Sequence, residues 1–239
     1  MKILFHGCSI TWGDELEDRE NERYSKLVSN HFLTEDYNIS HCGNSNDRIV
    51  RESIKHLQDN TFDVVVLQFT VHSRMEWFDK QGFPHRFTPQ LTSSHGKLKL
   101  KGIGSGDELR ERLYSAGKWF YRFVYNDILG VENMWRNILL FDSYCKANNI
   151  TFIPILADHF HEVIRRPEKF YHGEVGHTGW WKPLYQGLPI TYIHEDIIGH
   201  KKDGIGDHYY GEYHAEGNHP NALGHQKISE KVIELIEAI

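Results

Sequence analysis

Lys2-Ile3-Leu4-Phe5-His6 runs directly into Gly7-Cys8-Ser9-Ile10-Thr11-Trp12-Gly13. The first five residues read as a short apolar strand. The glycines on either side of Ser9 read as a tight turn that lifts a hydroxyl off the strand end. Beyond it, residues 22–33 carry Tyr24, Leu27, Val28 and Phe32 at helical spacing. Asn38-Ile39-Ser40-His41 predicts a second strand, closed by Gly43. Asn46 to Leu57 sets Ile49, Val50, Ile54 and Leu57 on one helical face. Residues 62–69 (Phe-Asp-Val-Val-Val-Leu-Gln-Phe) are a nearly continuous apolar run, as in a strand buried on both faces of a parallel sheet. This alternation within about 70 residues predicts an α/β, doubly wound, mostly parallel sheet with right-handed crossovers. Sites in such sheets gather at the carboxyl ends of the strands. Ser9, Gly43 and the segment after Phe69 all follow predicted strand ends.

The remaining periodic segments extend that pattern. Asp107 to Asp127 and Glu132 to Asn148 predict helices, and Asn221 to the C-terminus predicts a closing one. Residues 150–156 predict a fourth strand and Ile190 to Ile193 a short fifth. Pro154 cannot donate to a ladder, so the fourth strand is expected to be distorted or peripheral. Two stretches break the rhythm. One covers about residues 78–106, with a small hairpin expected around Leu98–Lys101. The other covers about 159–214 and is rich in His, Gly, Trp and Tyr. The expectation is a single domain over 1–239 with two elaborated insertions.

Composition excludes several classes. Hydrophobic residues make up 39% and charged residues 25% of the 239, as in a globular chain. A formal charge of −6 argues against a nucleic-acid partner held by phosphate contacts. No run approaches the ~18 apolar residues of a membrane helix, so no membrane partner is expected. The N-terminal apolar stretch is too short for a secretory signal. Cys8, Cys42 and Cys145 do not make a disulfide scaffold. The default expectation is cytoplasmic, with association with a virus particle or other export left open.

Near the far end stands Glu216-Gly217-Asn218-His219-Pro220-Asn221-Ala222-Leu223-Gly224-His225. A serine hydroxyl is a poor nucleophile until a base, itself held by a third group, draws off its proton. His219 is the candidate base and Glu216, three residues earlier, the candidate acid. The two segments together, Gly-x-Ser-Ile-Thr-x-Gly and acid-x-x-His-Pro-Asn-Ala-x-Gly-His, resemble the blocks of the SGNH (GDSL-like) hydrolase superfamily. The resemblance covers the two ends well and the middle loosely. It implies a flavodoxin-like three-layer sandwich with Ser9 as nucleophile, His219 as base and Glu216 as acid. Oxyanion donors would be the amides of Ser9 and Gly43 and a side chain after the third strand. This chain departs from the family in three places. Glu216 stands where the family has Asp, and Cys8 replaces the Asp of Gly-Asp-Ser. The third block reads Gln68-Phe69-Thr70-Val71-His72-Ser73-Arg74. Alignment from the strand puts His72 where the family has Asn, with Thr70, Asn44 and Arg74 as alternatives. Asn44 or Asn46 could instead cap the following helix, capping being the favoured role for Asn46.

The expected function is a serine esterase that removes O-acyl (acetyl) groups from a carbohydrate or similar ester through an acyl-enzyme, without cofactor or metal. Trp77, Trp180, Trp181 and Tyr185 are candidate substrate contacts in the elaborated loops. Two alternatives stand beside it. One is a non-catalytic SGNH-like binding module, favoured by the altered third block. The other is a metal-dependent hydrolase using Asp158, His159 and His161.

Overall fold

The computed structural model describes residues 1–89, 107–157, 190–193, 197–198, 212–215 and 219–239. In chain order the elements are β1 (Ile3–His6), α1 (Ser9–Trp12), α2 (Arg19–Glu22), α3 (Tyr24–His31), β2 (Tyr37–Asn38), α4 (Asn46–Asp59) and β3 (Val64–Phe69). Then come β4 (Met75–Phe78), β5 (Pro84–Phe87), α5 (Asp107–Phe123), α6 (Asp127–Ala147), β6 (Thr151–Leu156), β7 (Thr191–Tyr192) and α7 (Ala222–Glu237). The main sheet runs β2-β1-β3-β6-β7, and each described pairing in it is parallel. Helices cover both faces, giving the expected three-layer α/β sandwich.

Strand side chains alternate between two cores. Leu4, Val65, Leu67, Phe69 and Leu156 meet Ile49 and Val50 of α4 and Met134, Trp135, Ile138 and Phe141 of α6. Ile3, Phe5, Val64, Val66, Ile153 and Ile155 meet Tyr24 and Val28 of α3 and Ile228 and Val232 of α7. All six residues of β3 are buried, because β1 and β6 flank it and helices cover both faces. β2 lies on one side of β1 and β3 on the other. The chain therefore reverses its direction of travel at β1, and a crevice opens beyond the carboxyl ends of β1 and β3. Ser9 and Thr70 sit on its two sides.

Several sequence expectations shift. β6 is not peripheral: it pairs with β3 along its full length, Pro154 opposite Leu67, and with β7 at Ile155 and Leu156. β7 covers only those two residues, so one missing N–H costs little of the ladder. A hairpin not expected from the sequence precedes the one expected around Leu98–Lys101, β4 pairing with β5 from Met75↔Phe87 to Phe78↔Pro84. Leu98–Lys101 lies outside the described residues. α6 begins at Asp127 rather than Glu132, because Asn126 caps it by accepting the Leu129 N–H at 2.9 Å. Ser45, not Asn46, caps α4. Asn46 instead exchanges two hydrogen bonds with the Thr70 backbone, at 2.8 and 3.1 Å, and locks the start of α4 to the end of β3. Arg51 of α4 grips Glu76 of β4 through two 2.9 Å bonds and holds the hairpin beside the crevice.

Candidate active site

The turn that carries Ser9 is built around one buried glutamine. Gln68 Oε1 accepts the Cys8 backbone N–H at 3.0 Å, the Cys8 thiol at 3.2 Å and the Thr11 hydroxyl at 3.2 Å. Its amide nitrogen donates to Phe69 O at 2.8 Å. Gly7 is obligatory at this crossing, since a Cβ there would stand 2.8 Å from Gln68 Oε1. Thr11 also bonds the Tyr24 hydroxyl at 3.0 Å, and the Tyr24 N–H donates to His225 Nδ1 at 3.1 Å. The first and last helices of this region are thus tied behind Ser9.

Ser9 begins α1 and is 6% exposed. Its Oγ lies 2.8 Å from His219 Nε2, across 210 residues of sequence. His219 precedes Pro220 and the cap of α7. Asn221 fixes that entry by accepting the Gly224 N–H at 3.0 Å while its amide donates to Glu212 O at 2.7 Å. The acid expected at Glu216 lies outside the described residues. Among the described residues, a carboxylate that the sequence reading did not single out reaches His219. Glu15 Oε2 is 3.2 Å from Nδ1, at ion-pair distance though off the line of a hydrogen bond, and accepts the His219 backbone N–H at 3.3 Å. Glu15 holds φ +70, and Asp14 Oδ2 stands 3.9 Å from Nε2. The side of Ser9 facing the base is therefore acidic.

The other side is polar and basic. Gly43 has φ +74, and the Arg86 guanidinium occupies the space where a side chain would project. Arg86 Nη1 donates to Cys42 O at 3.0 Å. Among the described residues neither the Ser9 nor the Gly43 N–H has a backbone acceptor. Asn44 braces the strand end, its amide donating to Gly7 O at 3.0 Å and to His6 Nε2 at 3.2 Å. With Nε2 accepting, His6 Nδ1 donates to Ser53 Oγ at 2.9 Å. Burial, then the charges of His41 and Arg48, hold His6 at about 3.

The His72 ring is buried against Gly130 of α6, with Nε2 3.4 Å from Asp127 Oδ1. Thr70 is buried, and its hydroxyl accepts from Arg74 Nη1 at 2.9 Å. Cys8 Sγ sits 3.7 Å from Ser9 Oγ. Burial would raise the Cys8 thiol, but Arg74 together with hydrogen bonds to Thr70, the Ile10 backbone and Gln68 outweighs it and leaves the thiol below its usual value. Trp77 packs edge-on against Phe87 and Phe120, with ring centroids 5.2 and 5.0 Å apart. Trp180, Trp181, Tyr185, Asp158, His159 and His161 lie outside the described residues. Among the described residues no three His, Cys, Asp or Glu side chains group as metal ligands.

No protein-family description matches the chain, and no curated protein does. Solved structures do. A lipolytic protein of the G-D-S-L family from Desulfitobacterium hafniense DCB-2 superposes with a TM-score of 0.50 at 12% identity, over 98% of each chain. A GDSL-like lipase from Bacteroides thetaiotaomicron VPI-5482 superposes with a TM-score of 0.50 at 13% identity, over 99% of this chain and 87% of that one. Identities this low speak to the fold alone. What they share is the fold: with its parallel sheet of order β2-β1-β3-β6-β7 between helices, the chain has the α/β fold of SGNH (GDSL-like) hydrolases.

Proposed function

We propose that the protein is a serine esterase that removes an O-acyl group, acetyl in the simplest case, from a carbohydrate or similar ester. The 2.8 Å contact between Ser9 Oγ and His219 Nε2 carries this reading. His219 takes the hydroxyl proton as Ser9 attacks the acyl carbon. The Ser9 and Gly43 N–H groups receive the oxyanion, and Asp14 and Glu15 stabilise the imidazolium that forms. The proton then passes to the leaving alcohol, and water, activated by the same imidazole, releases the acid. Glu216 keeps its place as a proposed acid partner on the sequence motif. The carbohydrate preference rests on the aromatic residues of the elaborated loops.

The placement of His72 favours one competing reading. The His72 Nε2 stands 3.4 Å from Asp127 Oδ1, which favours a reading in which the third oxyanion donor of the family pattern is missing. Loss of one such donor costs about 3 kcal/mol of transition-state stabilisation, which would suit a binding module. Hydrolysis of p-nitrophenyl acetate by the wild type and Ser9→Ala decides between them. The esterase reading expects the variant to fall to the solvent background and a fluorophosphonate to label Ser9 alone. Equal rates for the two proteins remove Ser9 from the chemistry.

A further inference from the structure

We infer that Arg74, Arg86 and Arg48, on the oxyanion side of Ser9, form a site for a fixed negative charge on the substrate, so that the scissile compound is an acidic ester whose alcohol portion bears a carboxylate or sulfate-type group. The inference rests on the serine-esterase reading and names its substrate class.

Three observations converge on it. First, Arg74 borders the Ser9 turn and Arg86 the Gly43 turn beside it. Arg74 bonds Thr70 Oγ1 at 2.9 Å, Thr70 adjoins the Cys8 thiol, and that thiol is 3.7 Å from Ser9 Oγ. Arg86 covers Gly43, and Arg48 lies in the first turn of α4, whose N-terminal end adds positive potential. Second, no described carboxylate pairs with any of the three. Four nearby acids have other partners, Glu76 and Glu52 at Arg51, Asp47 at Asn133 and Asn137, and Asp79 at His85, while Asp59 shares a cleft with Arg48 without pairing with it. Arg48 Nε is buried with no partner among the described residues. Third, the three feel one another. Partial burial, then the charges of Arg74 and Arg48, pull the Arg86 guanidinium below its usual value.

Like charges held together without a counter-ion are unfavourable, and a bound oxyanion removes that penalty. Guanidinium forks match carboxylate geometry and hold it by charge-assisted hydrogen bonds. A role limited to the transient oxyanion of the reaction would accelerate neutral and charged esters alike. A site for a fixed charge shows in ground-state binding.

The test uses the full chain carrying Ser9→Ala, titrated calorimetrically with 4-acetoxybenzoate, 4-acetoxybenzenesulfonate and the neutral 4-acetoxybenzamide. The site predicts that at least one charged ester binds about tenfold tighter than the amide, or about 1.4 kcal/mol. It also predicts that this ratio shrinks with salt and approaches one when Arg86→Gln or Arg74→Gln is added. Arg86 lies on an exposed hairpin, so its variant tests the charge without disturbing a core, and circular dichroism verifies the fold. Equal binding of the three esters, no measurable binding of either charged one, or a ratio unchanged in both arginine variants overturns the proposal. Wild-type hydrolysis is read separately. Selective binding without Ser9-dependent turnover keeps the anion site and sinks the esterase. Turnover of all three esters without selective binding does the reverse.

Discussion

Glu15 Oε2 stands 3.2 Å from His219 Nδ1 and 3.3 Å from the His219 backbone nitrogen, so one carboxylate addresses both the ring and the main chain of the candidate base. It comes from the loop after the nucleophile helix, whereas the motif offers Glu216. The Glu15 backbone, at φ +70, is an uncommon conformation for a residue other than glycine.

Glu15→Gln keeps the length and polarity of the side chain and removes its charge. It is expected to lower kcat by about tenfold to a hundredfold while KM moves by less than about twofold, because the carboxylate acts on the imidazolium and not on bound ester. Steady-state kinetics beside Glu216→Gln is the check. A normal Glu15→Gln enzyme with a crippled Glu216→Gln returns the acid role to Glu216.

Gln68→Met should destabilise the fold and, on the proposed esterase reading, slow ester hydrolysis as well. The Cys8 N–H, the Cys8 thiol and the Thr11 hydroxyl all lose their shared acceptor. Thr11 retains the Tyr24 hydroxyl, but the buried Cys8 N–H has no described alternative. A lost buried partner costs about 1–3 kcal/mol. Urea unfolding is expected to report a loss in that range, and an unchanged midpoint would falsify the account of the turn.

Gly43→Ala places a Cβ in the left-handed region and against the Arg86 guanidinium. The backbone term alone is about 1–2 kcal/mol. Because Gly43 is a proposed oxyanion donor, kcat is expected to fall more than stability does. Thermal melts and p-nitrophenyl acetate rates on the same preparation separate the two effects, and a variant losing only stability denies the amide a chemical role.

Two buried histidines predict acid sensitivity. Burial and neighbouring positive charge hold His6 at about 3. Burial, then His219, does the same for His225, against 6.5 for the free group. Both are neutral when folded, so below pH 6.5 the unfolded chain binds more protons. Stability is complete above that pH and declines as pH falls toward about 3, by up to about 1.4 kcal/mol per pH unit for each histidine. Unfolding free energies measured between pH 7 and 5 should show this slope, and a flat profile would reject it.

How far the sequence is legible depends on the range of the interaction. β3 was plain because all six of its residues are buried, so its apolar run needs no partner to be recognised. α4 and α7 were plain from their spacing, though the cap at Asn126 was passed over and α6 was begun five residues late. The hairpin of β4 and β5 is hard to read in the sequence because its two-residue alternation is weak: Met75 and Glu76 are half-buried and Trp77 and Phe78 exposed. Gln68 offered a signal that went unused, as a polar side chain inside an otherwise apolar buried strand.

By itself the sequence determined the alternation of β1, α3, β2, α4 and β3, the serine at the first strand end and the histidine before the last helix, because periodicity, glycine turns and motif spacing are local properties of the chain. Only the tertiary structure decided that the hydroxyl and imidazole meet, that Glu15 comes up behind His219, and that Arg86 covers Gly43. Those juxtapositions arise where the carboxyl ends of β1 and β3 lie side by side in the sheet, and distance across a sheet is not written in distance along a chain.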